Sequence, residues 1–103
     1  MKPKNCLLTL VFPTKVEEHV VALMLRHHKL ATGFTTGAVE GHGRNTKLQS
    51  MGEQVRGRAK RTQMKVVLND EDTHHLLAHL KQELGNADIV YWIMPVSEFG
   101  SFL

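Results

Sequence analysis

The chain opens with a near-continuous apolar run, CLLTLVF over residues 6–12, closed by Pro13. Such a run fits a central β-strand covered on both faces. Thr14-Lys15-Val16-Glu17 has the spacing of a helix-starting capping box. Val16, Val20, Leu23, Met24 and His27 then recur at helical intervals and predict a helix over 14–28. Its apolar arc is wide, with Val21 and Leu25 extending it, so cover from more than one side is expected. Residues 32–40 are less apolar but rich in Thr and Val, as in a strand near a sheet edge. Over 41–61 neither period persists. Gly41, Gly43, Gly52 and Gly57 stand there among polar and basic residues, which predicts a long loop. Structureless loops of that length are uncommon in compact domains unless they carry function or are disordered. Alternation returns at 62–68, with Met64, Val66 and Leu68 on one face. The segment NDEDTHHLLAHLKQELG predicts a second helix. Asn69 or Asp70 caps it, Leu76, Leu77, Leu80 and Leu84 form its stripe, and Gly85 stops it. ADIVYWIM, 87–94, is a fourth strand ended by Pro95, and a tail follows with Phe99, Phe102 and Leu103.

Strand, helix, strand, long loop, strand, helix, strand is the α+β, ferredoxin-like βαββαβ order. It predicts one domain over 1–103, built as a four-stranded antiparallel sheet with both helices on one face. The other face is then left open. Trp92 or Tyr91, together with Met94 and the apolar tail, makes neighbouring chains the expected cover.

Apolar residues form 42% of the 103 and charged residues 22%, which is ordinary for a globular protein. No apolar run approaches the roughly 18 residues of a membrane span, so membrane insertion is not expected. MKPKN followed by CLLTLVF superficially resembles a signal peptide. Pro13 and the charged segment after it, with no small-residue cleavage site, point instead to a cytoplasmic protein. Cys6 is the single cysteine, which rules out an intrachain disulfide and reads as a small buried residue. Charge is unevenly spread. Residues 42–61 hold Arg44, Lys47, Arg56, Arg58, Lys60 and Arg61 against Glu53, a net of +5, within a chain of net +3. Such localisation points to an acidic partner, a phosphate-bearing ligand or nucleic acid.

Seven histidines make metal binding worth weighing. His75 and His79 lie four apart with Asp72 a turn earlier, a spacing that can chelate Zn²⁺, Ni²⁺ or Cu²⁺. That face lies opposite the leucine stripe, so a solvated helix surface is the plainer reading. His42 interrupts a glycine turn and either holds a metal or anion at the loop base or packs locally. Met24 and Met64 fall on core stripes. Arg56, Arg58, Lys60 and Arg61 form RGRAKR, without interleaved aromatics on which bases could stack. Docking on an acidic protein is therefore favoured over nucleic acid. No Ser/His/Asp order, phosphate loop or paired carboxylates argue for an enzyme.

The stretch EGHGR, ending the second strand, resembles the GFGR turn that opens the T-loop of PII signal-transduction proteins. Chain length, element order, loop position and the return into MKVVL match that layout. The whole sequence also resembles an uncharacterised bacterial family of small PII-like proteins. The likeness is carried by CLLTLVFP, GFTT with VEGHG, QVRGR and DIVYW before PV and EFG. It implies a trimer. By the same resemblance, Gly41 and Gly43 would let backbone amides approach an anion, with His42 between them and Arg44 at the loop base. The departures are specific. PII proteins carry a second glycine-rich, lysine-bearing turn, where this chain has only Gly85-Asn86-Ala87. They also carry C-terminal arginines, which SEFGSFL lacks, so ATP or ADP is not expected. The leading expectation is a trimeric sensor. It would bind a small ligand between subunits near Gly41, His42, Gly43 and Arg44, and a protein target through Arg56, Arg58, Lys60 and Arg61. A divalent-metal module, using His42 or Asp72, His75 and His79 and akin to the cation-tolerance proteins, is the alternative. Nucleic-acid binding through the basic loop is the third reading.

Overall fold

The computed structural model describes residues 3–42 and 59–103. In chain order it contains β1 (Cys6–Pro13), a 3₁₀ turn (Thr14–Val16), α1 (Glu17–Arg26), β2 (Thr35–Gly41), β3 (Ala59–Leu68), α2 (Asp70–Leu84) and β4 (Val90–Pro95). The strands form one antiparallel sheet in the order β2-β3-β1-β4. The apolar run at 6–12 occupies one of the two central positions, and β2 stands at an edge, both as the pattern predicts.

Register decides which side chains share a face. Leu8, Leu10 and Phe12 of β1 stand opposite Val66, Met64 and Thr62 of β3. Leu8 and Leu10 stand opposite Ile93 and Tyr91 of β4. This layer meets Val20, Leu23 and Met24 of α1 and Leu76, Leu77, Leu80 and Leu84 of α2 in one core. Burying each such side chain contributes about 1.5–3 kcal/mol, so both helices are held to the same side of the sheet. The alternate residues face away: Leu7, Thr9 and Val11, with Met94, Trp92 and Val90 beside them. Trp92 is thus on the open face and Tyr91 on the helix face, although they are neighbours in sequence. Trp92 is 41% exposed and Met94 51%.

Two helix starts differ in kind. Asn69 accepts a hydrogen bond from the Asp72 amide at 2.8 Å, a true N-cap for α2. The Thr14–Glu17 pair forms no capping box. The chain passes first through the 3₁₀ turn, without a side-chain cap. The Thr62 hydroxyl of β3 instead donates to Glu17 Oε1 at 2.6 Å and lies 3.3 Å from Thr14 Oγ1. Buried Thr62 gains a partner that way, and α1 begins at Glu17 rather than at Thr14. The third strand starts earlier than the alternation predicts. Ala59, with no exposed surface, stands directly opposite Gly41, and Lys60 opposite Glu40, so β3 alone includes three residues assigned to the loop from sequence.

Candidate functional site

β2 delivers the chain to the loop. Gly41 is its last residue and His42 follows, exposed. Gly43, Arg44, Arg56 and Arg58 lie outside the described residues. Lys60 and Arg61 do not belong to the loop that the sequence pattern predicts. Both are in β3, and Arg61 is only 5% exposed. Its guanidinium donates to Asp88 Oδ2 at 3.3 Å and to the Lys60 carbonyl at 3.3 Å. Arg61 stands opposite Pro13 of β1. The ion pair therefore reaches over β1 and ties the return of the loop to the turn before β4. A guanidinium so placed anchors the start of β3. The rule that charged residues mark loops fails here because the charge is paired.

The candidate metal ligands Asp72, His75 and His79 have separate local surroundings. Asp72 is taken into the helix cap, where Asn69 Nδ2 donates to its Oδ2 at 2.7 Å. His79 stacks on His27 of α1, ring centroids 4.2 Å apart and 18° from parallel. Imidazole lone pairs lie in the ring plane, so stacked rings do not converge on one ion. His75 is exposed, and His74 lies 3.5 Å from Asp70. Among the described residues no three His, Cys, Asp or Glu side chains gather around a point. Cys6 is buried, with Sγ 3.8 Å from Asp70 Oδ1. Burial first, and the nearby Asp70 carboxylate second, push its thiol up from 9.0, which keeps it protonated and unreactive.

A cleft at the opposite end of the sheet has no counterpart among the motifs of the sequence. It has a volume of about 460 Å³. Leu7, Phe34, Val67 and Phe99 make its apolar surface, and Lys4, Lys65, Thr32 and Thr35 supply cations and hydroxyls. Lys4 Nζ lies 4.7 Å above the Phe99 ring and 3.5 Å from Thr32 Oγ1. No carboxylate lines it among the described residues. These groups come from the N-terminal segment, β1, the α1–β2 connection, the start of β2, β3 and the tail. No local motif contains them, and only the register brings Thr35 opposite Lys65. β2 runs from this cleft at Thr35 to the loop base at Gly41, about 20 Å at ordinary strand rise. Its two ends thus carry different chemistry: cations and aromatics at one, Gly41 and the exposed His42 at the other.

The chain matches, over residues 2–103, a family model described as protein of unknown function (DUF3240). No curated protein matches the sequence. Among solved structures it is similar to a DUF3240 family protein from Shewanella baltica OS155, at TM-score 0.77 and 20% identity, covering 97% of this chain and 98% of that one. It is similar to CPII, a nitrogen regulatory PII-like protein from Thiomonas intermedia K12 bound to ADP, AMP and bicarbonate, at TM-score 0.68 and 14% identity, covering 89% of each chain. CutA from Synechococcus elongatus PCC7942, complexed with Bis-Tris, aligns at TM-score 0.67 and 16% identity over 93% of this chain and 84% of that one.

Proposed function

The chain belongs to the DUF3240 family and has the PII-like ferredoxin fold; on that premise we propose that it is a trimeric regulator that binds a small anion between subunits. The observation that carries this reading is the cationic, aromatic cleft at the end of the sheet away from the loop. In a closed ring each copy offers one patch and receives a different one. Here the loop base, Gly41 to Arg44, of one copy would face the cleft of the next. The glycine amides would then meet a ligand held by Lys4 and Lys65. Arg56, Arg58 and the exposed Lys60 would meet an acidic protein target. The protein acts on this reading as a binding module rather than a catalyst.

The cleft also reopens the question of nucleotides. The C-terminal stretch lacks arginines, yet the fold gathers Lys4, Lys65, Phe34 and Phe99, which can hold a phosphate and flank a base. The CPII complex, with ADP, AMP and bicarbonate, supports testing these anions first. Calorimetry and thermal shift against bicarbonate, AMP, ADP and ATP should find one that binds. Lys65→Ala should weaken it roughly tenfold, the scale of one charge-assisted hydrogen bond. Sedimentation should give a trimer for both proteins, and Trp92→Glu on the open face should break it. A monomer at micromolar concentration, or a ligand indifferent to Lys65, would overturn the proposal.

A further inference from the structure

The helix face holds a second cavity, of about 350 Å³, between α2, α1 and β4. Leu10, Val20, Leu77, Leu80, Leu84 and Ile89 line it. It is separate from the cleft described above and shares none of its residues. Lys81 and Tyr91 stand at its mouth, both exposed. Lys81 Nζ lies 5.4 Å from the centre of the Tyr91 ring.

The size is within the range of small-molecule pockets, about 300–1,000 Å³. The chemistry of the lining is one-sided. Its wall is aliphatic, and Lys81 is its one charged residue among the described residues. Among the described residues Lys81 makes no ion pair; its partner is the face of an aromatic ring. A cation over an aromatic face at an exposed site is held by only about 0.5–1 kcal/mol, so Lys81 is free to turn toward an anion. The floor of the cavity is close-packed, with Leu10, Val20, Leu77 and Leu80 buried in the core. An apolar ligand body would gain by covering that floor and the half-buried Ala87 and Ile89 at its edge.

We infer that this cavity binds a small amphiphilic monoanion, a medium-chain carboxylate whose tail lies among the leucines of α2 and whose head pairs with Lys81. An amine would meet Lys81 with like charge. An alcohol would take the same wall without the ion pair. The ligand would also touch Gly85 and Ala87, the turn that leads into Asp88 and its ion pair with Arg61.

The experiment titrates the full-length protein with octanoate, octanol and octylamine by calorimetry. One site per chain is expected for octanoate, with octanol weaker by roughly tenfold to a hundredfold, the scale of a hydrogen bond to a charged group. Lys81→Glu should reverse the order of octanoate and octylamine. Val20→Phe, which fills the cavity, should abolish all binding while circular dichroism stays native. Should that variant misfold, Leu84→Phe fills the same space from the other wall. No saturable binding, equal binding of all three head groups, or binding that survives the filled cavity would overturn the inference. Octanoate binding that appears only after residues 99–103 are removed would do so too, because the tail of a neighbouring copy would then be the occupant. The bicarbonate and nucleotide titrations of Lys65→Ala are independent of every arm here, so either site can fail without the other.

Discussion

Gly85 follows α2 with φ −61° and ψ −19°, an ordinary right-handed conformation. The left-handed stop that a glycine at a helix end suggests is therefore not its reason. A Cβ built there would lie 2.7 Å from the Lys81 carbonyl oxygen, which is backbone and cannot turn aside. Space, not conformational freedom, requires glycine. The two accounts predict opposite signs. A glycine with room for a methyl, in right-handed conformation, should gain up to about 1 kcal/mol on replacement by alanine. The crowding predicts instead that Gly85→Ala loses about 1–3 kcal/mol, as overpacked sites do. Urea unfolding measures which sign holds. On the sheet, Thr9 is 1% exposed, with no hydrogen-bond partner for its hydroxyl among the described residues. It lies on the open face between Lys65 and Trp92.

At the scale of elements, the ion pair over β1 gives the clearest test. Arg61 is buried and Asp88 is 29% exposed. Groups in direct contact couple by about 0.5–3 kcal/mol in double-mutant cycles, and Arg61→Met with Asp88→Asn should fall in the upper part of that range. Each single change should cost stability, and the cycle separates what the pair itself contributes from what each side chain does alone. Chemical unfolding of the four proteins checks both statements. The same pair marks how far the sequence could be read. Period-two and period-3.6 patterns located all four strands and both helices, because burial of Leu8, Leu10, Met64 and the α2 leucines dictates them. Boundaries failed where a side chain was rescued by a distant partner. Arg61 looked like loop because Asp88 is 27 residues away. Thr14 and Glu17 looked like a local cap because Thr62 is remote. The candidate site split in the same way. Gly41 and His42 are legible as the end of a strand. The Lys4–Thr32–Lys65–Phe99 cleft was not, because its residues share no segment. From sequence His79 reads as solvated helix surface or as a ligand beside His75; its stacking on His27 of the other helix is legible in neither, because the two rings lie on separate elements.

The whole molecule has two unlike faces. The helix face closes a core, and the open face presents Val90, Trp92 and Met94 beside half-buried Leu7 and Val11. Exposed apolar side chains grouped this way mark contact surfaces rather than solvated sheet, and assembly of copies through that face follows naturally from the proposed ring. The edge strand β2 then lies between the two poles of the molecule, with the cleft at Thr35 and the loop at Gly41. Among the described residues no helix is long and apolar enough to cross a membrane.

Gly41 and Ala59 face each other across the ladder, and that register has an engineering consequence. Paired residues of an antiparallel ladder have Cα atoms only about 4.5–5.5 Å apart, a gap that a two-residue hairpin turn spans. Residues 42–58 can thus be cut out and replaced by Asn-Gly without moving a single strand. Shortening the connection should raise stability by about 2 kcal/mol through the smaller entropy of closure. The excised protein should keep the proposed assembly and the Lys81 cavity and lose any acidic target proposed for the loop, as measured by thermal unfolding and pull-down. The domain is, in this sense, a platform with a detachable cartridge: the sheet is complete on either side of the loop, and new specificities can be installed at one address.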